Sequence, residues 1–313
     1  MSTALVTVGV VFIGGLAGLL VTQFIGWSRS RVVVIVQALA HYLLALAIVV
    51  AVVALVSRHW WLGGAAVVVI AAGLTLSQPL LARPRQATPG SDASPTMVFH
   101  ANLLFKNERP TEMVVMLGKL DADVLAFTEY TSAHSALMHL STVAERYPHR
   151  IEHPIGKTGG SAIWSRHPLT EVDTLPARDQ SSGAVVQTAE PFTLYVVHPP
   201  SPLMSLDGWH RELDGLRALH RDRSGPALVV GDFNADHWHP PFRRLLAAHW
   251  NDAHHLLRRP FSASWPTDRR PVPPFTRLDH ALVNDELVVR DVRNVVVPGS
   301  DHLGLVVTVV AAS

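Results

Sequence analysis

Leu228-Val-Val-Gly-Asp-Phe-Asn234 is an apolar run that ends by presenting a carboxylate, Asp232, and an amide, Asn234, side by side. The aliphatic residues before Gly231 read as a β-strand, and the polar pair then sits at its tip. Other strand-like runs end the same way. Asn102 lies in Met97–Phe105, Glu129 follows Val124–Thr128, and Asp301-His302 precede Leu305–Val309. Asn and Asp are common at strand ends, where their side chains satisfy backbone groups in turns. Chemistry is carried by the series, since one residue of this kind is uninformative.

Further strands are expected at Ser161–Trp164, Ala184–Thr188, Thr193–Val197 and Asp279–Val283, with helices at Thr111–Leu120 (Thr111 as its cap), Ser205–Arg223 and Pro241–Ala248. Many short strands among few helices suggest two packed sheets covered by helices, a mixed α/β (α+β) layered architecture.

The chain of 313 residues has a positive mean hydropathy and only 16% charged residues. The apolar excess is concentrated at the start. Ala4–Gly26, Val32–Val56 and Trp61–Ala82 are nearly uncharged stretches of about the 20 residues that a spanning helix needs. Three transmembrane helices are expected over residues 1–82. A cleaved signal peptide is disfavoured, because the first stretch lacks a basic n-region and two more spans follow at once. His41, in the second span, reads as a neutral imidazole facing a neighbouring helix.

Residues 83–96, Arg-Pro-Arg-Gln-Ala-Thr-Pro-Gly-Ser-Asp-Ala-Ser-Pro-Thr, are a linker by composition, and residues 97–313 have the length of one large domain. From Met97 onward there are 21 Lys plus Arg against 24 Asp plus Glu. A slightly acidic domain disfavours a protein that grips nucleic acid through its phosphates. Cysteine is absent, which removes disulfides, thiolate nucleophiles and thiolate metal sites together.

Gathered at one rim, the strand-end oxygens would suit Mg²⁺ or Mn²⁺ and not Zn²⁺. A histidine beside them would supply charge or a proton to a phosphate. Metal, water-activating group and phosphoryl donors are the parts that phosphoester hydrolysis needs.

The domain resembles the endonuclease/exonuclease/phosphatase superfamily, which includes DNase I-like nucleases, inositol-polyphosphate phosphatases and bacterial sphingomyelinases. The resemblance runs through His100-Ala-Asn102, Leu125-Ala-Phe-Thr-Glu129, Ser161-Ala-Ile-Trp-Ser-Arg166, Val196-Val-His198, Gly231-Asp-Phe-Asn-Ala235, Arg277-Leu-Asp-His-Ala281 and Ser300-Asp-His302. It implies a four-layer αββα sandwich with a divalent metal held by Asn102, Glu129 and Asp301. It also implies that Asp232 orients or deprotonates water and that Asn234 holds a phosphoryl oxygen. His302 would face the phosphate with Asp279 behind it, and His198 would stand on the opposite side. The first motif reads His100-Ala-Asn-Leu where Trp-Asn or Asn-Val-Asn is commonly met. His280 is expected on the far face of its strand. His237, His239, His254 and His255 read as loop or surface residues, and His210 and His220 as solvated ones. Trp265 is open to a substrate-contacting or a rim-packing role.

Three spans before such a domain resemble bacterial membrane-bound members of the teicoplanin-resistance type. The expected substrate is therefore a phospholipid or polyprenyl-linked phosphate, because a tether concentrates the site at headgroups. The alternatives are a tethered nuclease and, third, a non-catalytic membrane sensor. With three spans, Arg29, Arg31, Arg83 and Arg85 share one side against Arg58, which favours a cytoplasmic domain. The resemblance points the opposite way, and an extracytoplasmic domain on a multi-pass cell-membrane protein is the reading adopted.

Overall fold

The computed structural model describes residues 2–82, 85–91, 93–173, 181–222, 225–269 and 271–313. Arg83 at the start of the linker and Arg223 at the end of one expected helix lie outside them, as does the side chain of His220. The chain forms two compact units, one of Met1–Arg83 with Ala235–Arg243 and the other of Pro84–Asn234 with Arg244–Ser313.

The first unit contains α1 (Thr3–Phe24), α2 (Arg31–Ala38), α3 (Ala40–Val56) and α4 (Trp60–Leu81). Helices α1 and α4, of 22 residues each, are long and apolar enough to cross a membrane. The second expected span is instead a pair, α2 and α3, bent by 65° at Leu39, so a third crossing exists only if that pair counts as one. Gln37 lies beside the bend. Its amide nitrogen donates to Thr22 Oγ1 and Trp27 O, and its oxygen accepts from Ser28, which ties α2 to the turn after α1. In lipid such polar groups need internal partners.

Residues 235–243 complete this unit. Trp238 is buried with Leu16, Leu20, Leu44 and Leu62, and His41 stacks on it at 5.8 Å rather than on a neighbouring helix. Arg243 donates to the side chain and carbonyl of Gln23, near the C-terminal end of α1 where carbonyls lack intrahelical partners. His237 and His239 reach Leu76 O and Val34 O, each at 3.0 Å, and both are buried. The sequence placed these two at the surface. Nothing in their local pattern distinguishes a loop histidine from one that caps a helix carbonyl.

In the second unit the elements run, in order, β1 (Thr96–Asn102), α5 (Pro110–Lys119), β2 (Val124–Thr128), α6 (Ser132–His139), α7 (Thr142–Arg146), β3 (His149–His153), β4 (Ser161–Ser165), β5 (Leu169–Glu171), β6 (Ser182–Val186), β7 (Phe192–Val197), α8 (Leu206–Asp222), β8 (Ala227–Asp232), α9 (Pro240–Leu246), β9 (Asn251–Asp252), α10 (Ala253–Leu256), β10 (Asp279–Val283), β11 (Leu287–Val296) and β12 (Leu303–Ala311). The first residues of α9 belong to the helical unit. Two six-stranded sheets form, ordered β11-β12-β1-β2-β4-β3 and β5-β6-β7-β8-β10-β9. At the centre of each lies one parallel pair, β1 with β2 and β7 with β8.

Alternation along the strands decides which residues face the space between the sheets. Val98, Val124, Ala126, Val196, Leu228, Val230, Ala281 and Val283 share one buried cluster there. Phe99, Ala101, Leu125, Phe127 and Trp164 point the other way, into a second cluster with Met113 and Leu117 of α5, Met138 of α6 and Val143 of α7. Continuing the inner series reaches His198 from Val196, Asp232 from Val230 and, through His100, Asn102 from Val98. Running it backward from Ala281 reaches Asp279.

Strands β2 and β10 lie where the sequence places them. Helix α5 begins at Pro110 with Arg109 as a cap that makes no side-chain bond, so Thr111 is not the cap. Proline at the first helical position gives up no needed N–H. The sequence missed β11, whose alternation is broken by Arg290, Asp291, Arg293 and Asn294 around a bulge at Val289/Asp291. His210 is buried on α8 and not solvated as expected.

Candidate active site

Gly231 brings the end of β8 into place. A Cβ there would lie 2.0 Å from Val197 O of the parallel neighbour β7, so only glycine lets the two strands run together to Asp232 and His198. Asn234 follows with φ 48, a left-handed conformation that Asn tolerates, and its backbone N–H donates to Asp232 Oδ1 at 2.9 Å. Its side-chain nitrogen donates to Pro199 O at 3.0 Å, and the second hydrogen of that amide is left for another acceptor.

Asp232 Oδ2 is the focus of the site. Asn102 Nδ2 is 3.1 Å from it, His198 Nε2 3.5 Å and His302 Nε2 3.7 Å. Asn102 Nδ2 also donates to Glu129 Oε1 at 3.1 Å, while Glu129 Oε2 accepts from Phe105 N. His198 Nε2 lies 4.0 Å from Glu129 Oε1. On the other side, His302 Nδ1 donates to Asp279 Oδ2 at 2.8 Å, which commits its second nitrogen to the Asp232 side. Asp301 Oδ1 is 4.0 Å from that second nitrogen, and Asp301 Oδ2 accepts from Trp265 Nε1. All eight residues expected from the sequence thus lie within one connected set.

Ser300 and Ser264 hold the set together, roles that sequence reasoning missed although Ser300 lies in the Ser300-Asp-His302 motif. Ser300 Oγ donates to Asn102 O and accepts from His302 N. Ser264 Oγ accepts from the N–H groups of Leu278 and Asp279. Serine is too common in loops for its identity alone to mark such a bridge. His280 lies on the outer face of β10, as expected, against Asp252.

Buried charge sets the protonation states. Burial opposes the cation on His302, but the carboxylates of Asp279 and Asp232 outweigh it and push the imidazole up to about 10. The same contest leaves His198 raised, with burial opposed by the bond to Asp232 and its charge. Burial pushes Glu129 up despite His198 and Phe105 N–H. Asp232 is held below its usual range, since His302 and His198 together exceed the cost of burying it. At neutral pH His302 is therefore an imidazolium, beside a His198 whose affinity for protons is raised and an Asp232 whose ionised form is favoured.

The donors for a cation are all oxygens, which suits a hard divalent ion. Glu129 would be the principal one; burial raises its affinity for protons despite His198, the Phe105 N–H and Asn102. Asp301 Oδ1 lies on the same rim. Asn102 Oδ1 accepts from Leu104 N while its nitrogen faces Glu129 and Asp232, so the amide would present oxygen to an ion beside Glu129 only by exchanging these bonds. Among the described residues no three His, Asp or Glu side chains stand close enough to form a ready-made cage. The chemistry of the donor set fits such an ion, which Glu129, Asp301 and Asn102 would hold.

The sequence pattern of the Endonuclease/Exonuclease/phosphatase family matches residues 99–302. The chain belongs to this family. Solved structures with the same fold include a 3′ phosphatase, NExo, from Neisseria bound to a product DNA hairpin. It is 17% identical, with a TM-score of 0.56 over 68% of this chain and 98% of that one. TDP2 from D. rerio complexed with a single-strand DNA product is 14% identical, with a TM-score of 0.58 over 69% and 99%. An AP endonuclease from Archaeoglobus fulgidus is 16% identical, with a TM-score of 0.54 over 68% and 98%. No curated protein sequence matches this chain. The family makes the chain a phosphoester hydrolase or nuclease.

Proposed function

We propose that this chain is a membrane-anchored, Mg²⁺- or Mn²⁺-dependent phosphoester hydrolase acting on a lipid or polyprenyl-linked phosphate at a bilayer surface. The observation that carries the reading is the convergence on Asp232 of Asn102, His198 and His302. In the same chain, α1 and α4 are apolar enough to cross a membrane.

A divalent ion held by Glu129, Asp301 and Asn102 would neutralise charge developing on the phosphoryl group. The protein's own groups do the rest. Asp232, ionised and central, accepts a hydrogen bond from the attacking water, orients it and takes its proton. His302, cationic and fixed by Asp279, donates from Nε2 to a phosphoryl oxygen. His198 donates from the other side, and the remaining N–H of Asn234 holds a third position. As the water oxygen bonds to phosphorus the P–O ester bond breaks and the leaving oxygen takes up a proton from solvent, so no covalent intermediate forms. An extracytoplasmic site would suit polyprenyl-linked phosphates.

A tethered nuclease is the second reading, supported by the two structural neighbours bound to DNA products. The acidic balance from Met97 onward weighs against it. The test is the purified full-length chain with Mg²⁺ on vesicles carrying a lipid phosphate, beside single- and double-stranded DNA. Release from lipid with DNA intact supports the reading. DNA cleavage with lipid untouched overturns it in favour of the nuclease. Hydrolysis that survives Asp232→Ala removes the mechanism.

A further inference from the structure

His100 is the feature of the first-strand motif that the hydrolase reading does not use. It occupies the inner face of β1 two residues before Asn102, pairs with Ala126 of β2 and Leu305 of β12, and is fully buried. Its Nε2 lies 3.4 Å from Asp279 Oδ1, within ion-pair range, and among the described residues neither atom makes a hydrogen bond, so each is the other's nearest polar contact. Asp279 Oδ2 already accepts from His302 Nδ1 at 2.8 Å. A row of three side chains, His100, Asp279 and His302, therefore crosses the space between the sheets and ends at Asp232.

A buried imidazole leaves polar atoms that need partners, so an aliphatic residue would fill this position at lower cost. The polar neighbour that offsets the cost is the carboxylate that orients His302. A carboxylate held at one oxygen can pivot about its Cβ–Cγ bond, and one held at both cannot. We propose that His100 is a positioning residue that fixes the Asp279 carboxylate through Nε2, so that His302 keeps its own Nε2 on the phosphate side of Asp232. The inference rests on the hydrolase reading of the site.

The test uses the full-length protein with Mg²⁺ and bis(4-nitrophenyl) phosphate, a soluble diester that needs no membrane. His100→Leu is expected to lower kcat roughly 10-fold or more with KM little changed, the scale of losing a group that orients a catalytic side chain. His100→Gln, which keeps a donor, is expected to recover most of that loss. On an Asp279→Asn background His100→Leu is expected to add nothing. Wild-type kcat in folded His100→Leu, or losses that multiply with Asp279→Asn, would overturn the proposal. If His100→Leu does not fold, His100→Met, similar in volume and without a donor, is read in its place. The low-field proton resonance of the His302–Asp279 bond gives a readout independent of turnover, and it is expected to move in His100→Leu. A wild type inactive on every phosphoester would sink the hydrolase reading. An active wild type with an unmoved resonance and unchanged kcat would sink the role of His100 alone.

Discussion

Asp279 and His280 are neighbours on β10 that face opposite ways, and each belongs to a buried carboxylate-histidine pair. On the inner face Asp279 accepts from His302 at 2.8 Å, and on the outer face Asp252 engages His280 Nδ1 at 2.7 Å. Length and burial do not separate the two. The second ring nitrogen does. His280 Nε2 is used by Arg277 O, whereas His302 Nε2 looks toward Asp232 and Asp301 across gaps of 3.7 and 4.0 Å. A histidine with both nitrogens committed to the fold is a strut, and one with a nitrogen left toward a rim of acids is a reagent.

The surroundings agree with that division. Asp252 also faces Arg277 Nη2 at 3.3 Å, and Arg277, with His280, holds its carboxyl far below the usual range although burial alone would raise it. His254, close to the same arginine, is pushed down to about 3, chiefly by burial and then by that positive charge, so it stays neutral. The outer network sets one carboxylate against one arginine. The inner one gathers three acids about His302.

The largest expected effect is on the inner side. Asp232→Ala should lower phosphodiester turnover by about 10²–10⁴-fold, the range for a group that moves the proton, while thermal unfolding shows the fold intact. Chelation of divalent ions by EDTA should abolish turnover, with Mg²⁺ restoring it. Turnover indifferent to chelation would remove the cation from the account.

On the outer side the loss should appear as stability. Asp252→Ala strands Arg277 as a buried charge, and breaking such a pair costs about 3–5 kcal/mol. Urea unfolding should show that cost, with kcat per folded molecule unchanged. Equal kcat losses for Asp252→Ala and Asp232→Ala would erase the distinction between the networks.

A smaller effect concerns pH. His302 is raised when folded, so its contribution to stability is complete below its unfolded value, about 6.5, and is lost as pH climbs toward about 10. The metal-free protein should therefore weaken between pH 7 and 10, and His302→Ala should flatten that slope. Asp252, depressed when folded, contributes above its unfolded value of about 3.9 and loses that contribution only in strong acid. It should add no slope in the alkaline window.

Much of this was legible in the sequence because strand ends announce themselves. The run Leu228-Val-Val-Gly-Asp232 and the pair at Asp301-His302 placed acids and a histidine at the tips of apolar strands, and alternation placed His280 away from Asp279. What stayed hidden depends on pairings distant in sequence. Gln37 reads as a minor blemish in a span until Thr22, Trp27 and Ser28 are seen to receive it. His237 and His239 look like loop residues because the carbonyls they reach belong to Leu76 and Val34. Strand β11 carries its own camouflage, a bulge and four polar residues that break the period of two.

The most direct test sets the two carboxylate-paired histidines against each other on a single soluble diester: kcat of His302→Ala beside kcat of His280→Ala, each per folded molecule. A fall of about 100-fold or more for His302→Ala, with His280→Ala close to wild type, is the expected result. Comparable falls in both, or none in His302→Ala, would contradict the assignment of Asp232 and its histidines as the reacting centre.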